Sequence, residues 1–351
     1  MSRSVPVTLL TGFLGAGKTT LLNQLLRDPS LADTAVVINE FGDVALDHWL
    51  VEGGDDEIIT LGEGCICCTL QGDLAGSLRG LLRRAARGEI PSFRRILVET
   101  SGLADPGPVA QVLRRDPLLA AETHLDGIVT LIDAEHGDET LAAHVEARRQ
   151  AAMADRLLLT KADRVDADAL AALEKALRAR GLRAPISRRD GTTAPAVDVL
   201  APGASAGARE WLQLEGLQPV VADPATTPLI PAADTAPRET HRHDGIVTVS
   251  LTTAAAMAPE DLEAFLDSVC EAHGQRLLRL KGIMCVRGLE ATPVVVHAVR
   301  GMQYPPYRLS AWPEGVAGST LVCIGEHLRR DALQDLWSYA VSRTPPPVPR
   351  Q

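Results

Sequence analysis

Gly12-Phe13-Leu14-Gly15-Ala16-Gly17-Lys18-Thr19-Thr20 meets the G-x-x-x-x-G-K-[ST] phosphate-loop pattern at every required position, directly after the apolar run Val5 to Leu10. Val5, Val7, Leu9 and Leu10 read as a strand aimed at the loop, and Thr20 to Leu26 carry helical spacing. The order strand, glycine turn, helix puts the loop on a helix N-terminus. There glycines let successive N–H groups face phosphate oxygens, and the helix dipole favours their charge. Gly12, Gly15, Ala16, Gly17, Lys18, Thr19 and Thr20 are therefore the expected phosphate-binding residues. Lys18 would reach the β and γ phosphates, and the Thr19 hydroxyl would complete a Mg²⁺ shell of hard oxygens. A glycine turn that merely joins strand to helix has no need of Lys-Thr at these two places.

The chain has 351 residues, enough for two domains with separate cores. Its 46% hydrophobic and 23% charged residues are those of a soluble globular protein. A net charge of -10 argues against a general nucleic-acid or anionic-membrane binder, and 3% aromatic content argues against a base-stacking surface. The N-terminus runs into the first strand without a secretion-type apolar segment, and no later run approaches a membrane span. A cytoplasmic protein with six reduced thiols is the expectation.

Beyond the first helix, Thr34 to Ile38 reads as a buried strand ending in Asn39-Glu40-Phe41-Gly42-Asp43. Carboxylates there lie where open α/β sheets bind ligands, although a solvated turn has the same composition. A short strand, Glu57 to Leu61, leads to Gly64-Cys65-Ile66-Cys67-Cys68. Thiolates are soft ligands for Zn²⁺, Co²⁺ or Cu⁺. In extended chain Cys65 and Cys67 share a face and Cys68 points away, and no second cysteine pair stands at zinc-finger distance. The pattern is an open, incomplete site; the competing reading is three small side chains buried beside the sheet.

Gly72 to Arg87 is an amphipathic helix with Leu74, Leu78, Leu81 and Leu82 on one side. The run Arg95 to Gly102 reads as a buried strand ending in an acid, Glu99, placed as a Walker B carboxylate that acts on Mg²⁺ through water. Gly102, three residues on, lets the backbone approach a γ-phosphate and sense its loss. Strands over Leu125 to Asp133 and Arg156 to Thr160 flank a single helix over Leu141 to Ala154. The second strand ends in Thr160-Lys161-Ala162-Asp163. The Asp163 carboxylate accepts a pair of hydrogen bonds that guanine offers and adenine does not, and Lys161 lays its stem along the base, so GTP is favoured over ATP. Ala167 to Arg180 is a further helix, and Ala184 to Ser187 an edge strand.

Gln218 to Arg242 has linker composition. His241 and His243 follow one residue apart, readable as a metal pair or as ordinary surface histidines. The last hundred residues form a separate α+β module. Strands cover Ile246 to Leu251, Leu277 to Arg287, Pro293 to Arg300 and Leu321 to Ile324; helices cover Pro259 to Ala272 and Asp331 to Tyr339. Lys281-Gly282 marks a bulge, Cys270, Cys285 and Cys323 are core thiols, and His297 is packed. The expected fold is a doubly wound, mostly parallel P-loop NTPase sheet over 1–217, a linker over 218–243 and a smaller α+β domain over 244–345.

These residues resemble the CobW-type GTPases, a branch of the P-loop NTPases related to UreG and HypB, and in particular the YjiA-like members. The matching elements are the phosphate loop, Asn39-Glu40-Phe41-Gly42, Gly64-Cys65-Ile66-Cys67-Cys68, Glu99-Thr100-Ser101-Gly102 and Thr160-Lys161-Ala162-Asp163, in the family's order. Leu280-Lys281-Gly282 and Cys323-Ile324-Gly325 extend the likeness into the second module. The resemblance implies a metallochaperone in which GTP and Mg²⁺ order the switch segments and complete a thiolate site, and hydrolysis releases metal to a client protein. It implies Glu40, Cys67 and Cys68 as ligands of Zn²⁺, or Co²⁺, with Cys65 close by. Lys18 and Glu99 would serve hydrolysis, at a slow intrinsic rate, in a monomer or weak homo-oligomer. A thiol-based redox or zinc sensor with nucleotide as a structural ligand, and a small-molecule kinase, are the alternatives.

Overall fold

The computed structural model describes residues 4–25, 33–39, 58–60, 66–70, 73–189, 245–309, 311–312 and 318–343. Two compact units separate, Met1–Leu177 with Ala184–Ala206, and Arg178–Arg183 with Gly207–Gln351. In the first unit the elements are β1 (Val5–Gly12), α1 (Lys18–Leu25), β2 (Thr34–Asn39), β3 (Ile58–Thr60), β4 (Ile66–Leu70), α2 (Leu74–Ala86) and β5 (Arg95–Thr100). They continue through α3 (Pro106–Arg115), α4 (Pro117–Glu122), β6 (Thr123–Asp133), α5 (Gly137–Ala143), α6 (Val145–Met153), β7 (Arg156–Thr160), α7 (Ala167–Ala179) and β8 (Ile186–Arg188).

The strands form one sheet in the order β3-β4-β2-β5-β1-β6-β7-β8, parallel at every pairing except β3 with β4. Continuous apolar runs such as Ile96, Leu97 and Val98 suit strands covered on both faces. Leu10 pairs with Glu99, Gly12 with Leu131 and Asp133 with Thr160, so the ends of β1, β5, β6 and β7 meet at the carboxyl edge where such sheets take ligands. α1 packs Leu21, Leu22 and Leu25 onto Leu10, Val36, Leu97, Val129 and Leu158. At about 1.5–3 kcal/mol per buried leucine, this seating holds α1 and the loop at its start.

Two aspartate-proline pairs start helices. Asp105 accepts from Gly107 N at 2.8 Å, and Asp116 accepts from Leu118 N and Leu119 N at 3.1 Å. Each aspartate satisfies orphan N–H groups while the following proline supplies a ready helical φ. The helix expected over Leu141 to Ala154 is instead two, α5 and α6, parted at His144, whose φ of -118° and ψ of 122° are extended. The ring of His144 stacks on Phe13, with centroids 4.4 Å apart, a tertiary contact that accompanies the break in the helix.

The second unit contains β9 (Ile246–Thr253), α8 (Pro259–His273), β10 (Leu277–Met284), β11 (Val294–Val299), β12 (Met302–Gln303), β13 (Tyr307–Arg308), β14 (Ser319–Glu326) and α9 (Arg330–Ser342). The sheet order is β12-β11-β10-β14-β9, with β13 on β11, all antiparallel. Phe265 of α8 meets Trp337 of α9 edge-on, with centroids 5.2 Å apart, in a core that includes Cys270 and Cys323. Cys285 is only partly buried. His297 is packed against Tyr304, centroids 4.5 Å apart. The bulge expected at Lys281-Gly282 is not there: both pair regularly with β11, and the register shift falls between Leu277 and Arg279. Gly282 answers a close approach instead, since a Cβ there would lie 2.7 Å from Leu321 Cδ1 and 2.9 Å from Thr320 O.

Candidate functional site

The phosphate loop leaves β1 at Gly12 and enters α1 at Lys18. Gly15 and Gly17 take φ of +76° and +86°, left-handed conformations that turn successive N–H groups towards one concavity. The loop is braced from below and beside. Thr100 Oγ1 donates to Thr11 Oγ1 at 2.8 Å, and Thr160 Oγ1 donates to Ala16 O at 2.8 Å. Thr160, at the start of the motif expected to read the base, holds the loop, a role that sequence reasoning missed.

Lys18 is 7% exposed, and its Nζ donates to Gly12 O at 2.8 Å and Phe13 O at 3.3 Å. A buried ammonium needs such acceptors, and phosphate oxygens are stronger ones. The Thr19 hydroxyl donates to Glu99 Oε1 at 3.3 Å, and Glu99 is 1% exposed. A hydroxyl whose proton is given to a carboxylate turns its lone pairs outward, so Thr19 and Glu99 together fit a hard divalent cation. Thr20 is exposed at the next position of α1.

Gly102 is buried against the loop: a Cβ there would fall 2.6 Å from Leu14 Cδ2 and 2.9 Å from Leu14 N. The predicted sensor and the predicted loop are therefore in contact. The residues Ser101 to Ala104 form a turn closed by Ala104 N donating to Ser101 O at 3.0 Å. Lys161, at φ 55°, extends Nζ to Asp133 Oδ2 at 2.6 Å, and Asp163 is exposed just beyond. Asp133 fixes where the Lys161 stem lies; the carboxylate closing the β6 run was its only sequence signal. A cavity of about 310 Å³ behind the loop is bordered by Phe13, Asp133, His136, Gln150 and Lys161 among others.

The expected transition-metal ligands are only partly within view. Glu40, Cys65, His241 and His243, and the linker, lie outside the described residues. Cys67 and Cys68 belong to β4, where their backbones pair with Val36 and Val37 of β2 and with Ile59 and Ile58 of β3. Among the described residues no three His, Cys, Asp or Glu side chains gather as a metal-holding group. Among them, too, no helix is long and apolar enough to cross a membrane.

Residues 6–188 match the nucleotide-binding domain described as CobW/HypB/UreG, and residues 246–341 match the C-terminal domain of the cobalamin synthesis protein cobW. The chain is similar to the zinc chaperone YjiA of Escherichia coli, 44% identical over 159 residues, which are 45% of this chain and 50% of that protein. The alignment thus spans about half of that relative's length. It is also similar to the zinc chaperone CobW of a Sinorhizobium species, 30% identical over 354 residues, covering 92% of this chain and 93% of that one. Among solved structures, the Zn(II)-bound YjiA GTPase from E. coli superposes with a TM-score of 0.68 at 28% identity, covering 96% of this chain and 99% of that one.

Proposed function

The chain belongs to the CobW/HypB/UreG family, and on that premise we propose that it is a slow GTP hydrolase that carries zinc to a client metalloprotein. The observation that carries the reading is the Thr19–Glu99 contact, which brings the phosphate loop and the end of β5 onto one hard-oxygen site. In this reading Lys18 exchanges the carbonyls of Gly12 and Phe13 for β and γ phosphate oxygens. Mg²⁺, when bound, offsets the phosphate charge; Thr19 would hold it directly and Glu99 through water. The Gly102 backbone meets the γ-phosphate, and Asp163 reads the guanine edge, with Lys161 beneath the base.

The cargo would be a thiolate-bound ion held by Glu40, Cys67 and Cys68, beside Cys65. Zinc is favoured over cobalt because the relatives are named for zinc. Coupling of this site to the bound nucleotide is the step we assign to the γ-phosphate.

Turnover of GTP by zinc-loaded and zinc-free protein tests the reading. Hydrolysis on the order of 10⁻⁴ to 10⁻² per second, as in unassisted GTPases, is expected, changed by zinc and absent in Lys18→Ala. Turnover that persists in Lys18→Ala would reject it.

A further inference from the structure

Gln150 is a polar side chain of α6 that is 1% exposed, amid the buried Ala147, Ala151 and Met153. Its Nε2 donates to Gly102 O at 3.1 Å and to Ala104 O at 2.9 Å. Both acceptors belong to the turn that follows Glu99, and on its other side that turn lies against Leu14. One carboxamide therefore spans the turn with two donors, the maximum its nitrogen offers. Gln150 is itself anchored, because Thr130 Oγ1 of β6 donates to its main-chain oxygen at 2.9 Å. At the start of the same helix His144 stacks on Phe13 of the phosphate loop. α6 consequently touches the loop through one residue and the sensing turn through another.

We propose that Gln150 is a positioning residue that holds the Gly102 turn in the conformation that accepts a γ-phosphate. The inference rests on the reading of Gly102 as the γ-phosphate contact. Glycine has little conformational restraint of its own, so its N–H direction is set by whatever fixes the neighbouring peptide planes. Leu14 limits the turn from the loop side, and Gln150 fixes its carbonyls from the helix side. With both in place the turn is preorganised; without the carboxamide, binding a γ-phosphate must first order it. GDP makes no contact with the turn in this reading, so its affinity is independent of Gln150.

The test compares affinities for GDP and a non-hydrolysable GTP analogue, with Mg²⁺, in the wild type, Gln150→Met, Gln150→Glu and Gly102→Ala. Methionine keeps length and apolar bulk but no donor, whereas glutamate turns two acceptors against two carbonyls. Loss of two ordinary hydrogen bonds predicts that Gln150→Met lowers analogue affinity about tenfold with GDP affinity unchanged, and that Gln150→Glu lowers it further. A purely structural role would instead lower thermal stability and leave the ratio of the two affinities unmoved. If Gly102→Ala lowers the ratio and Gln150→Met does not, the inference falls alone. If neither moves it, the γ-phosphate reading falls and takes the inference with it. Should the Gln150 variants fail to fold, the side-chain amide resonance of Gln150 in the wild type decides: a shift between GDP and analogue supports the role, and an unmoved resonance overturns it.

Discussion

The hydroxyl of Thr19 donates to the carboxylate of Glu99 at 3.3 Å, joining the first turn of α1 to the end of β5 across 80 residues of chain. Glu99 sits at 1% exposure, where a carboxylate is costly unless its oxygens are used. In the proposed function that use is a Mg²⁺ ion shared with Thr19. Glu99→Gln is expected to weaken the Mg²⁺-dependent part of GTP binding by about ten- to a hundredfold, the range of a charge-assisted contact. Titration of labelled GTP analogue with and without Mg²⁺ measures this; equal loss in both conditions would assign Glu99 a merely structural part.

Lys18 donates to two loop carbonyls that phosphate oxygens would outcompete, so its removal is expected to cost binding more than folding. Lys18→Ala should lower affinity for GTP and GDP alike by about a hundredfold, while the far-ultraviolet dichroism stays that of the wild type. Unchanged affinity would refute the phosphate-loop assignment.

Asp163 is exposed at the end of β7, beside a lysine already fixed by Asp133. Asp163→Ala is predicted to reduce the preference for GTP over ATP by about ten- to a hundredfold, the worth of a paired base contact. Competition of each nucleotide against labelled GDP reads the ratio. A preference that survives would place base selection elsewhere.

The thiols of the second unit supply a pH dependence. Burial pushes the Cys270 thiol from its ordinary 9.0 up to about 11, with the charge of Asp267 adding to the shift, and burial drives Cys323 up as well. These pKa values are raised on folding, so the neutral thiols favour the folded state fully below pH 9, and that stability is lost as pH rises from 9 towards 11. Alkylation at pH 8 should leave Cys270 and Cys323 unmodified until the unit unfolds. Rapid labelling of either in native protein would contradict their packing.

The glycine spacing, Lys18-Thr19 and the acid near the end of an apolar strand were readable because each is a local pattern with a single chemical use. The supports of those residues were not. Gln150 lies 48 residues from Gly102, and Asp133 lies 28 from Lys161, so neither pairing leaves a local trace. His144 reads as mid-helix because propensity cannot anticipate a ring stacked on Phe13. Gly282 shows the same limit: glycine in a strand announces a bulge or a close approach, and only the neighbouring β14 decides which. For the metal site, the cysteine spacing pointed to thiolate chemistry, while the pairing of Cys67 and Cys68 with Val36 and Val37 emerged only with the register.

The most direct test of the account is a Co²⁺ titration of reduced, metal-free protein, with Mg²⁺ and either GDP or a non-hydrolysable GTP analogue, following the thiolate-to-cobalt absorption band. The account predicts a band that strengthens with the analogue over GDP and disappears in Cys67→Ala. A band of equal strength with either nucleotide would contradict it, separating the thiols from the phosphate site and leaving a thiol sensor with a structural nucleotide.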